Sequence, residues 1–229
     1  MTIPTSAPTP RESRRKVLAR RFDHQTWSGS LAIMLAITAG LWVIEIINET
    51  DGHHLDRFGL TPRMPSGLEG IATMPFLHAN AGHLAANMFP FLIVGWVVLV
   101  GGTREFLLST VVIMALGGAL TWVVGPSATI VGASALVFGW LGYLIGRAIF
   151  TRRIVWIVVA VGMLLFFGGL FTGLLPTSSH NYVAWQAHVC GFAAGVLSGW
   201  WLHPRKGDDR YLALRVGRKS KAAGSDADS

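Results

Sequence analysis

Charge is scarce in this chain. Asp, Glu, Lys and Arg make up 14% of its 229 residues and hydrophobic types 52%, where an ordinary soluble domain carries roughly a quarter charged residues. Between Glu105 and Arg147 there is no Asp, Glu, Lys, Arg or His, and from Ile154 to Pro204 the only titratable side chains are His, Cys and Tyr. Each stretch is about twice the ~20 apolar residues that cross a bilayer, so each holds two helices. A soluble helix would show a polar face every turn, so the gaps exclude a soluble globular domain. Cysteine is scarcer still: the single Cys190 excludes an intrachain disulfide framework and a cysteine-rich metal site, and reads as a small packing residue in a helix. No internal repeat is found.

What is present is an all-α, polytopic pattern of six membrane spans. A basic tail, residues 1–28, precedes a six-helix membrane domain, residues 29–203, and a second basic tail, residues 204–229, follows it. The spans are expected near 30–47, 83–100, 106–124, 134–150, 154–174 and 183–203, separated by breaks that mostly contain Gly or Pro, with Thr151-Arg152-Arg153 between the fourth and fifth. The first is read as a retained span, because no small-residue cleavage site follows it. Six spans put both tails on one side. Of the 19 Lys and Arg residues, only Arg57 and Arg63 fall on the opposite side, so both tails are expected in the cytoplasm of a cell-membrane protein. The net charge of +7 flanks membrane spans. It therefore points to anionic lipid headgroups at the tails and not to nucleic acid.

With that topology, spans two, four and six all start at the outer face, and polar residues gather at those starts. Span two opens with His78, Asn80, His83 and Asn87, span four with Gly132-Ala133-Ser134-Ala135, and span six with Gln186-Ala187-His188. Ionisable groups at such depth are costly and mark a functional site. Gly191, Gly195 and Gly199 share a helical face with His188, and Gly142 and Gly146 share one with Ser134 and Phe138. Small-residue stripes let membrane helices pack backbone to backbone. If the two stripes meet, Ser134 and His188 meet at the outer end.

A serine beside a histidine is a nucleophile with its general base. The outer carboxylates, Glu45 among them, have no evident route to His188, so a Ser134/His188 dyad is expected, with Phe138 stacked on the imidazole. His83 and Asn87, four residues apart on one face, and the Ser134 amide at a helix start form a candidate oxyanion hole. A metal or proton transporter built on His78, His83 and His188 is the weaker alternative, because Glu45 is the only carboxylate within a span.

These residues resemble the rhomboid intramembrane proteases. The likeness rests on Pro75-Phe76-Leu77-His78, His83-Leu84, Asn87-Met88, Gly132-Ala133-Ser134 and Ala187-His188 with Gly191 and Gly195, and runs from about residue 31 to 202. It implies a serine endopeptidase with a Ser134/His188 dyad, oxyanion support from His83 and Asn87, and His78 bracing the site. It also implies transmembrane protein substrates cut near their outer end, no metal or other cofactor, and access controlled by residues 176–182 and the end of span five. Two positions depart from the family pattern: Ala135 stands where Gly is usual, and Phe138 where Tyr is. The alternative within the family is a catalytically inactive, client-binding relative.

Overall fold

The computed structural model describes residues 26–175 and 184–203. Nearly all of the 1–28 tail, all of the 204–229 tail and the 176–182 access segment lie outside the described residues. Six long helices are present among the described residues: α1 (Trp27–Thr50), α2 (Ala81–Val100), α3 (Thr103–Val124), α4 (Ser134–Thr151), α5 (Ile154–Phe167) and α6 (Trp185–Leu202). Among the described residues there is no strand, only an isolated antiparallel bridge between Leu60 and Ile130. The first four helices have the length and apolarity to cross a membrane. Apolar α5 has 14 residues and runs into a 3₁₀ segment, Gly168–Leu174. Helix α6 has 18 residues and carries Gln186 and His188 in its first turn. The chain is thus an all-helical, multi-pass membrane protein. Large apolar side chains such as Val43, Ile46, Val158 and Leu165 face outward, where lipid takes the place of a core.

Local sequence sets the helix boundaries. Asn80 accepts the His83 amide at 2.8 Å and caps α2, so that helix begins two residues before the expected His83. Gly102, at φ 143°, makes the turn from α2 into α3, a backbone shape that L-residues resist. Helix α3 contains a π-turn at Ile113–Gly117, which inserts an extra residue into the ladder. It lays Gly117 against α6, where an added Cβ would lie 3.2 Å from the Gly191 Cα.

Helix α4 is the hub, with twelve of its 18 residues buried, and α6 lies directly on it. The two glycine stripes do meet. A methyl on Gly142 would overlap the Phe192 carbonyl, one on Gly191 the Ala135 carbonyl, and one on Gly195 the Gly139 carbonyl. At Gly146 it would stand 2.7 Å from the Val196 oxygen, and at Gly199 2.8 Å from the Arg147 nitrogen. Residues 51–80 form a chain of short helical turns clamped onto the α3–α4 loop. The Arg63 guanidinium donates to the Gly125 carbonyl at 2.6 Å and to Ser127 Oγ at 3.0 Å, the Trp122 indole donates to the Met64 carbonyl at 3.0 Å, and the Gly132 amide donates to the Met74 carbonyl at 3.0 Å. That clamp fixes the approach of Gly132-Ala133 to Ser134.

Candidate active site

Ser134 is the first residue of α4 and His188 sits in the first turn of α6, so the glycine contact brings their side chains together. Ser134 Oγ lies 2.8 Å from His188 Nε2, and His188 Nδ1 lies 2.9 Å from the Gly173 carbonyl oxygen. A carbonyl only accepts, so Nδ1 carries the ring hydrogen and Nε2 is left to accept from the serine hydroxyl. Phe138 stacks on the imidazole, with centroids 4.4 Å apart and planes 24° from parallel. The imidazole is therefore held on one edge by a carbonyl and on one face by a ring. Gly173 was not foreseen, because a main-chain acceptor has no side-chain signature. The lack of a Cβ there permits the approach: one would stand 3.2 Å from His188 Nδ1 and 3.3 Å from Phe138 Cζ.

The other expected residues surround the same spot. Gly132 has φ 128°, and a Cβ on it would lie 2.9 Å from His83 Cε1 and 3.8 Å from Ser134 Oγ. The His83 ring thus borders the small space beside the nucleophile. Asn87 is buried and its amide donates to the His83 carbonyl at 2.8 Å, committing one of its two hydrogens to its own helix. At the first turn of α4 the Ser134 and Ala135 amides have no intrahelical acceptor by construction, which supplies donors at the place an oxyanion would form. Ala135 packs its methyl with Leu60, Met74, Ile130 and Ala187, so the side chain usually absent at this position enters a small core. Glu45 is buried on α1 and neither of its carboxylate oxygens has a hydrogen-bond partner. Among the described residues the hydrogen-bond partners of the His188 ring are Ser134 Oγ and the Gly173 carbonyl.

His78 is fully buried just before α2. Its Nε2 accepts the Ala133 amide at 3.3 Å, and its ring meets the His83 ring edge to face at 5.3 Å. It braces Ala133, the residue before Ser134, through that hydrogen bond. Burial, with the neighbouring His83 adding to it, lowers the His78 pKa to about 4. The folded state therefore resists a proton that the unfolded chain accepts near pH 6.5. His78 contributes its full stability above that pH and loses it as pH falls towards about 4. Thermal unfolding in detergent is expected to show a fall in stability across this window. In His78→Gln, which keeps an acceptor but cannot titrate, that fall should be smaller; an unchanged profile would contradict the assignment.

A hydrogen-bonded Ser–His pair at the common end of three helices defines a class: multi-pass membrane proteins with a part-buried Ser–His pair. The Rhomboid domain family model matches residues 66–205, which include all of these side chains. The chain belongs to the rhomboid family. It is 34% identical over 201 residues to an uncharacterized protein of Mycobacterium tuberculosis, covering 85% of this chain and 83% of that one. A Mycobacterium bovis protein, also uncharacterized, matches to the same extent. An uncharacterized Mycobacterium leprae protein is 31% identical over 208 residues, covering 88% and 79%.

Proposed function

We propose that this protein is an intramembrane serine endopeptidase that cleaves transmembrane segments of other membrane proteins near their outer end. It crosses the membrane six times with both tails in the cytoplasm, α5 with its 3₁₀ extension and α6 serving as the last two spans. The observation that carries the proposal is the Ser134–His188 hydrogen bond of 2.8 Å with Nδ1 held by the Gly173 carbonyl. An imidazole in that tautomer can take the hydroxyl proton as Oγ attacks a peptide carbonyl. The oxyanion then faces the free amides of the α4 start, with His83 and a reoriented Asn87 as side-chain donors. The imidazolium returns its proton to the leaving amine. His188 next deprotonates water, which hydrolyses the Ser134 ester and restores the enzyme.

The test is cleavage of a reconstituted single-span substrate in liposomes that hold the purified protein. Wild type is expected to release two fragments whose junction lies in the outer part of the span. Cleavage confined to soluble loops, or none by folded wild type, would overturn the proposal. The Phe138 ring supports a further expectation. Phe138→Leu loses the stack and lowers kcat about three- to tenfold at nearly constant KM, while Phe138→Tyr keeps wild-type kcat. Equal losses in both variants would mean that stacking does not position the base.

A further inference from the structure

The opposite end of the bundle carries a second constellation, about 20 Å along α4 from Ser134 at 1.5 Å per residue. The Arg147 guanidinium lies 3.6 Å over the Trp156 ring, donates to Tyr143 Oη at 3.2 Å, and reaches the Gly101 carbonyl at 3.5 Å. Tyr143 Oη in turn bonds His203 Nε2 at 2.9 Å. One arginine thus ties together the α2–α3 turn, α4, the start of α5 and the end of α6. Near its contacts along the chain are exposed cations: Arg104 in the first turn of α3, and Arg152 and Arg153 between α4 and α5. A Cβ on Gly101 would lie 2.7 Å from Arg147 Nη1 and 3.0 Å from Trp156 Cη2, so Arg104, a few residues after Gly101, and Arg153, a few before Trp156, flank the same spot. The Glu105 carboxylate lies over Gly102, beside this network, and its charge acts on Arg147 and Tyr143, but among the described residues none of these arginines forms a salt bridge with a carboxylate.

Orientation requires positive charge at a cytoplasmic end but not its convergence on one built network. Arginines are suited to phosphate because their planar forks donate paired hydrogen bonds to its oxygens, and an indole beside them suits the headgroup level. The geometry points to a phosphate-binding cradle between Arg104 and Arg153, floored by Arg147 on Trp156, that takes the phosphate of an anionic phospholipid from the inner leaflet. None of the cradle's residues belongs to either basic tail. It rests on the proposed topology only for the leaflet it faces. A lipid there would hold the cytoplasmic ends of α3, α4, α5 and α6 together beneath the candidate active site.

Native mass spectrometry of the full-length protein in detergent, titrated with phosphatidylglycerol, phosphatidylcholine or inorganic phosphate, tests this without reference to proteolysis or orientation. Wild type is expected to retain one phosphatidylglycerol at least about tenfold more tightly than phosphatidylcholine. Arg104→Gln/Arg153→Gln, both at exposed positions, should weaken that first lipid about tenfold, while the tail pair Lys219→Gln/Lys221→Gln leaves it unchanged. Failure of millimolar inorganic phosphate to displace the lipid supports a lipid source; displacement at that concentration would assign the cradle to free phosphate and overturn the lipid. Equal retention of the two lipids, or equal weakening by the cradle and tail pairs, would overturn the site.

Discussion

Ser134→Ala and His188→Ala are each expected to lower cleavage of a reconstituted single-span substrate by about 10⁴-fold or more in protein that remains folded. The magnitude follows from how the two groups act. The hydroxyl is a poor nucleophile until its proton has somewhere to go, and the His188 Nε2 acceptor 2.8 Å away is the place. Removing either group removes the same step, so the double variant should be no slower than the worse single one. Losses that multiply instead would mean that the two residues act independently. The unfolding control matters because His188 is buried against Phe138, and truncating it also removes packing.

Gly195→Val is expected to be the most damaging substitution outside the reacting groups. Even a methyl at that position would overlap the Gly139 carbonyl and stand 2.9 Å from the Tyr143 amide. Neither neighbour is the end of a flexible side chain, so α6 must move off α4 as a body. Overpacking typically costs about 1–3 kcal/mol; against two rigid backbone groups we expect about 3 kcal/mol or more, and activity lost with it because Ser134 and His188 sit on the separating helices. The contrast is Gly162→Ala on α5, where an added Cβ meets nothing within 4 Å; removing a helix glycine there should leave stability unchanged or raise it by up to about 1 kcal/mol. Detergent-resistance and thermal-unfolding assays of both variants check the pair. A tolerated Gly195→Val would show that the stripes do not set the helix approach.

Much of the site was legible because a membrane leaves polar residues few ordinary excuses. His78, His83, Asn87, Ser134 and His188 fall in stretches otherwise apolar, so their positions at three helix starts carry information that the same residues on a soluble surface would not. The glycine stripes were legible for the same reason, and Gly142, Gly146, Gly191, Gly195 and Gly199 do lie at backbone contacts. What escaped the sequence is made of main chain. The Gly173 carbonyl that holds His188, the His78 contact to the Ala133 amide, and the π-turn at Ile113–Gly117 depend on backbone placement, which no side-chain pattern announces. The turns of residues 51–80 lie between the expected first and second spans, where the sequence shows no periodic pattern. Their clamp on the α3–α4 loop comes from Arg63 and Trp122 meeting carbonyls and a hydroxyl far along the chain.

The most direct test of the central claim is covalent labelling of the purified, folded protein with a fluorophosphonate, with the modified residue mapped by mass spectrometry. A single adduct on Ser134 that disappears in His188→Ala is the result predicted here, since only a serine with a working base reacts at a useful rate. An unlabelled Ser134 in folded wild type, or labelling that persists without His188, would contradict it and leave the chain as a rhomboid-family protein that holds membrane clients without cutting them.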